Sequence, residues 1–317
     1  MRREGSALQG LGVVTLKEIA DHFTSILVVV LVVLIVGTAT ATVWGAVSQI
    51  KEVTAEDPFL FLRLFTRSGG LLPLGALLSF LVPLVAIGLG FDAINGEHNR
   101  RTLSRILSQP IYRDALLFGK FLAGLFILSV CLIALWLLVI GFGLVALGVP
   151  PNAEEMGRAL VVLVATIAYA GVWLALAMLF SIVFRSAATA ALASLGLWLF
   201  MTILWPLFSQ RLALEFTSAN DVLGALQAQQ AWARLSPSAL FGEVMAVVLD
   251  PSVRSTQQSM LAALGLVLLE RGAIPNAPIP LLESVLIVWP QIVSLIASTI
   301  VLFVIGYIIF QRQEVRA

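Results

Sequence analysis

Six stretches of this chain carry no Asp, Glu, Lys or Arg and are apolar enough to cross a bilayer: Phe23 to Ile50, Ser68 to Phe91, Phe121 to Ala153, Ala159 to Phe184, Ser186 to Gln210 and Ser284 to Gln311. A helix rising about 1.5 Å per residue needs roughly 20 apolar residues to cross a hydrocarbon core about 30 Å thick, and every stretch reaches that length. The pattern predicts an all-α integral membrane protein with six transmembrane helices. Composition agrees, because 60% of the 317 residues are hydrophobic and only 12% charged, against roughly a quarter charged in a soluble domain. The spans lack the buried Asp, Glu, Lys or His that proton- and ion-driven carriers use. An energy source outside this polypeptide is therefore expected.

Other classes fall away on simple grounds. A formal charge of +1 gives nucleic acid nothing to bind. The single cysteine, Cys131, lies in the third span, which excludes an internal disulfide and a thiolate cluster within one chain. It reads as a small buried hydrophobe. The first apolar run is too long for a signal-peptide core and is read as a retained first span.

With six spans, both termini face the same side. That side holds Arg2, Arg3, Lys17, Arg100, Arg101, Arg105, Arg113, Lys120, Arg185, Arg312 and Arg316, whereas the opposite short loops hold only Lys51, Arg63, Arg67 and Arg158. The positive-inside rule then places both termini in the cytoplasm. Residues 211–283 form an extracytoplasmic segment between spans 5 and 6 and are the main soluble feature. Within that segment, one helix is expected between Asn220 and Arg234 and a second over Ala239 to Leu249, separated by the Ser236-Pro237 break. Met260 to Leu269 is charge-free but too short to span, so it either re-enters the membrane edge or packs outside. At the other end, Leu8, Leu11, Val14 or Thr15, Ile19 and Phe23 recur at helical spacing among charged residues, which suits an N-terminal interfacial helix over residues 1–22.

The loop between spans 2 and 3, residues 92–115, is the most motif-like segment. Asn95-Gly96 can end the second span. Asn99 or Thr102 can cap a short helix that places Leu103, Ile106 and Leu107 on one face, with Arg100, Arg101, Ser104 and Arg105 largely elsewhere, and Pro110 limits its extension. An amphipathic helix anchored at both ends suits a groove on a cytoplasmic partner. The arginines serve either partner contact or topology and anionic lipid. Glu97 gains nothing from the positive-inside rule and is expected to pair with a nearby or partner Arg. Lys120 is expected to snorkel from the start of span 3.

The order Gly96-Glu97, Thr102-Leu103, Ile106-Leu107-Ser108, Pro110, Arg113 and Gly119-Lys120, set between spans 2 and 3, resembles type-2 permease subunits of ATP-binding-cassette (ABC) transporters. The resemblance extends to the six spans, the inner-leaflet helix and the outward segment, although Arg101 stands where such families often have Gly. It implies one permease domain over 1–317 in a prokaryotic plasma membrane, two copies pairing as a homodimer, and a separate ABC ATPase subunit that holds ATP and Mg. It also implies that Glu97, Arg100, Arg101, Thr102, Leu103, Arg105, Ile106 and Leu107 bind that subunit as a coupling helix. The family includes exporters of drugs, lipids and glycans and a permease of the copper-maturation system for nitrous oxide reductase, which the loop also resembles.

Enzymatic alternatives find no residues to carry them. A Walker loop needs G-x-x-x-x-G-K-[ST], but Gly119-Lys120 is followed by Phe121 and preceded five positions earlier by Asp114. An intramembrane metalloprotease needs paired histidines, and His22 and His98 are far apart. A serine hydrolase lacks a base in the spans. A non-transporting scaffold stays open, and so does the cargo: Trp136, Trp173, Met178, Trp198, Met201 and Trp205 suit an apolar solute and suit lipid anchoring equally.

Overall fold

The protein is described here by a computed structural model covering residues 10–50, 59–67, 72–99, 113–217, 222–253, 256 and 278–312. Among these residues the regular elements are helices: α1 (Leu11–Phe23), α2 (Ile26–Ile50), α3 (Arg63–Thr66), α4 (Leu74–Gly90), α5 (Asn95–Asn99), α6 (Arg113–Leu147), α7 (Ala153–Val183), α8 (Ala187–Leu199), α9 (Trp205–Phe216), α10 (Val222–Ala233), α11 (Pro237–Leu249) and α12 (Leu281–Arg312). A π-helical turn, Phe200–Leu204, joins α8 to α9 as one span. The six membrane-crossing helices are α2, α4, α6, α7, the α8–α9 unit and α12. The all-α membrane architecture expected from the apolar stretches is present.

Helix α7 is the axis of the bundle. Inside its most apolar window 72% of residues are buried, and 61% in α4, against 17% in both the α8–α9 unit and α12, which therefore offer most of their surface to lipid. Small residues let the two central helices approach closely, as membrane interfaces require. A Cβ on Gly90 would stand 2.8 Å from Ala177 Cβ and 3.1 Å from the Leu174 carbonyl, so α4 crosses α7 almost backbone to backbone.

The helices run beyond the charge-free stretches. α6 starts at Arg113 rather than Phe121, and α7 at Ala153 rather than Ala159, which brings Asp114, Lys120, Glu154, Glu155 and Arg158 onto spanning helices. Arg158 is thus not a loop charge that merely reports topology. It is fully buried. Its guanidinium donates to the Val248 carbonyl at 2.9 Å, the Ile279 carbonyl at 2.6 Å, Ser284 Oγ at 3.1 Å and Glu154 Oε1 at 3.0 Å. Beside it, Glu155 closes a capping box with Asn152 and accepts the Phe61 N–H at 2.8 Å, which fixes the segment leading into α3.

The two helices expected between spans 5 and 6 are α10 and α11, and they meet at a 113° bend at the Ser236-Pro237 break. The second of them packs on the bundle. α11 runs antiparallel to α7 from Tyr169, halfway along that helix, to Arg158 near its start: Phe241 stacks on the Tyr169 ring at 4.5 Å, and Val248 meets Arg158. Phe241, Val244, Val247 and Val248 are fully buried. By length and composition the bent pair suits a broken span or a re-entrant loop. The sequence reading gave both helices and the break but not this packing, because the burial of α11 depends on partners distant in sequence. Met260 to Leu269 lies outside the described residues.

Candidate coupling site

α1 begins after Gly10, whose positive φ of 91° suits a residue without Cβ. Val14 and Glu18, one helical turn apart, form its buried face. That face rests on the start of α6. A Cβ on Gly119 would lie 2.7 Å from Val14 Cγ1, so glycine at this position is what permits the contact. The next residue, Lys120, is only 6% exposed. Its ammonium lies 2.9 Å from Glu18 Oε2 and 2.7 Å from Glu97 Oε1.

Glu97 reaches this position because α5 is held to the end of α7. Ser181 Oγ accepts the backbone N–H groups of Ile94 at 3.0 Å and Asn95 at 3.2 Å. Asn95 Nδ2 donates to the Phe91 carbonyl at 3.2 Å. The residues leaving span 2 and those entering span 3 are therefore joined by a buried ion pair, and the loop between them is closed at its base. A second tie joins the first turn of α6 to the last turns of α12, where Tyr307 Oη donates to Asp114 at 3.1 Å and Gln311 Nε2 also donates to Asp114.

The electrostatics favour the charged cluster. Burial pushes the Glu18 carboxyl up, but Lys120 and Lys17 outweigh it and hold the group below its ordinary 4.5. Burial opposes the charged form of Lys17 as well, yet Asp21 and Glu18 raise its pKa. His22 is held below its ordinary 6.5, chiefly by burial with Lys120 adding to it, against the pull of Glu18, Asp92 and Asp21.

These findings correct one expectation and add to another. Lys120 does not snorkel to water but is buried between two carboxylates, and Glu97 has it as a partner that the sequence reading did not name. Arg100, Arg101, Thr102, Leu103, Arg105, Ile106 and Leu107 lie outside the described residues. Glu18 was missed. Its signal was an acidic residue one turn after Val14 on the apolar stripe of α1, where a solvated charge does not belong.

A helical bundle with this loop between its second and third spans is matched by the family model for "ABC-2 family transporter protein" over residues 12–315. The chain belongs to the ABC-2 transporter family. Among similar proteins are two named "Probable ABC transporter permease protein NosY": one from Pseudomonas aeruginosa, 35% identical over 140 residues, and one from Stutzerimonas stutzeri, 31% identical over 140 residues. Each match covers 42% of this chain and 49% of the relative, so the likeness spans about half the length of those proteins. In this ABC-2 permease, the Glu18–Lys120–Glu97 cluster joins α1, the end of span 2 and the start of span 3 at one point.

Proposed function

We propose that this chain is the membrane-spanning subunit of an ATP-driven exporter, with ATP and Mg bound on a separate ABC ATPase subunit and none on the chain itself. Both termini and the 92–115 loop face the cytoplasm, residues 211–283 enter from the outer side, and two copies pair, since closed twofold assemblies are the common solution. Residues Glu97 to Leu107 form the coupling helix that the ATPase grips. The observation that carries the reading is the buried Lys120 bridging Glu18 and Glu97. A loop tied at its base moves as one body, so a push on its tip is passed to α1 and to spans 2 and 3 rather than absorbed locally.

The experiment is docking of the ATPase, measured by co-purification and by substrate-stimulated ATP hydrolysis. Ile106→Asp should abolish both, because burying an unpaired carboxylate in a groove costs several kcal/mol, while Arg101→Gln should have little effect. Wild-type behaviour from Ile106→Asp would remove the loop from the mechanism. The loop's likeness to the copper-maturation type of permease gives a second reading of the cargo. A screen of ATPase stimulation by copper-loaded carriers against amphipathic organic solutes separates the two.

A further inference from the structure

Three spans of this bundle carry an internal proline, Pro83, Pro206 and Pro290, and in the first two a side-chain hydroxyl meets the carbonyl that the proline frees. In α4, Pro83 cannot donate to Ser79, four residues earlier. In the fifth span, the Trp205 N–H reaches back to the Phe200 carbonyl in π register, and Pro206, next along, has no N–H for Met201. An unsatisfied carbonyl at that depth costs several kcal/mol, so each needs a donor from elsewhere. Tyr169 Oη donates to the Ser79 carbonyl at 3.0 Å, and Ser236 Oγ to the Met201 carbonyl at 2.9 Å.

The tip of the α10–α11 hairpin connects these two repairs. Tyr169 has one hydroxyl proton, and it is used on Ser79. Ser238 Oγ, 3.0 Å from Tyr169 Oη, is therefore the donor to the tyrosine, and Thr202 Oγ1, 2.9 Å from Ser238 Oγ, is the donor to the serine. The result is a directed relay, Thr202 to Ser238 to Tyr169 to the Ser79 carbonyl, with the Ser236 bond to Met201 beside it. It spans α4 and the fifth span, and every link passes through the hairpin tip or the tyrosine it rests on. Ser236 and Tyr169 are 1% and 0% exposed, so water offers these groups no alternative partner.

We propose that this hydroxyl relay is the latch of an outward gate: it seats the hairpin tip between α4, α7 and the π turn, and transport requires its release. This rests on the export reading above, which makes the hairpin's end of the bundle the exit. Tyr169, Ser236, Ser238 and Thr202 are positioning residues that act through the hairpin. Release leaves the Ser79 and Met201 carbonyls facing the opened path, where they offer acceptors to a hydroxyl- or amine-bearing cargo.

The test uses the full chain with Cys131→Ala and a reporter, Val244→Cys, at a position fully buried on the hairpin. Its reaction with a small charged thiosulfonate is followed in detergent micelles, where reagent and nucleotide reach both faces. In the resting chain, Thr202→Val should raise the labelling rate about tenfold, the factor expected from one lost hydrogen bond, and Tyr169→Phe, which loses two, should raise it further. Thr202→Ser, which keeps the hydroxyl, should label like the parent and shows that bulk at this position is not the cause. Unchanged rates in both hydroxyl-free variants would overturn the latch. With the partner ATPase trapped by ATP and vanadate, the parent should label faster. If trapping alters a second reporter at Arg185→Cys but leaves Val244→Cys unchanged, the hairpin is not the gate. Silence at both reporters counts against the export reading instead, while the resting comparison still decides the latch.

Discussion

Among the described residues the bundle buries one basic residue near each end, Arg158 and Lys120, and the two are held differently. Arg158, near the Asn152 end, is fixed mainly by backbone: two carbonyls, one serine hydroxyl and one carboxylate that is itself 37% exposed. Lys120, near the α1 end, is held by two carboxylates on separate segments. Arginine's planar fork of donors suits several fixed acceptors at once, whereas lysine is a compact point charge that a short chain movement can release. The difference teaches which end is built to stay and which is built to yield. Arg158 fastens α7 to the hairpin, to Ile279 and to the start of α12, and Lys120 joins α1 and the end of span 2 to the start of span 3.

Removing Arg158 is the strongest way to break this comparison. Arg158→Met keeps the volume but leaves the Val248 and Ile279 carbonyls without donors, and breaking such a buried site costs about 3–5 kcal/mol. Thermal unfolding in detergent should show a large fall in midpoint, accompanied by exposure of α11 to protease. If Arg158→Met melts like the parent, the guanidinium is not the fastener.

Lys120→Met should cost less, roughly 2–4 kcal/mol, because the carboxylates it abandons keep some exposure, 11% for Glu18 and 14% for Glu97, and can take up protons. The distinguishing result is where the damage falls. Global unfolding should shift modestly, while ATP hydrolysis should lose its dependence on cargo, since the loop is no longer tied to α1. Adding Glu18→Gln should recover part of the stability without restoring that dependence. Equal and parallel losses at both sites would erase the distinction between fastener and joint.

The six spans were legible because bilayer thickness acts on each segment locally, so a charge-free run is a sufficient signal. Charge alone misplaced the helix ends. Arg113, Asp114, Lys120 and Arg158 sit on spanning helices because each finds partners that no local rule reveals: Arg158 is bonded to residues 90 and 121 positions away in sequence. Glu97 was singled out as a charge needing a partner, and Lys120, across the loop, is one that no local rule named. The hairpin was legible as two helices and a break, yet its depth was not, since that depends on Tyr169 and on carbonyls freed by Pro83 and Pro206.

The smallest expected effect is a pH dependence confined to the α1 joint, and its sign follows from His22 and Glu18. His22 is held below 6.5 in the docked helix, by burial first and by Lys120, with Glu18, Asp92 and Asp21 pulling the other way. Undocked, the imidazole takes a proton more readily, so the undocked state binds more protons and docking weakens as pH falls through about 6.5. Glu18 behaves as a carboxyl held below 4.5, so its stabilising share persists through that window and is lost only at lower pH. Between pH 7.5 and 5.5, hydrogen exchange of the α1 amides, corrected for intrinsic pH dependence, should therefore speed up while the amides around Arg158 do not change. His22→Asn, which cannot titrate, should flatten the α1 response, and Glu18→Gln should weaken docking at both pH values without removing the slope. A slope that survives His22→Asn would mean that the imidazole is not the sensor, and that the yielding end of the bundle answers to the ion pairs alone.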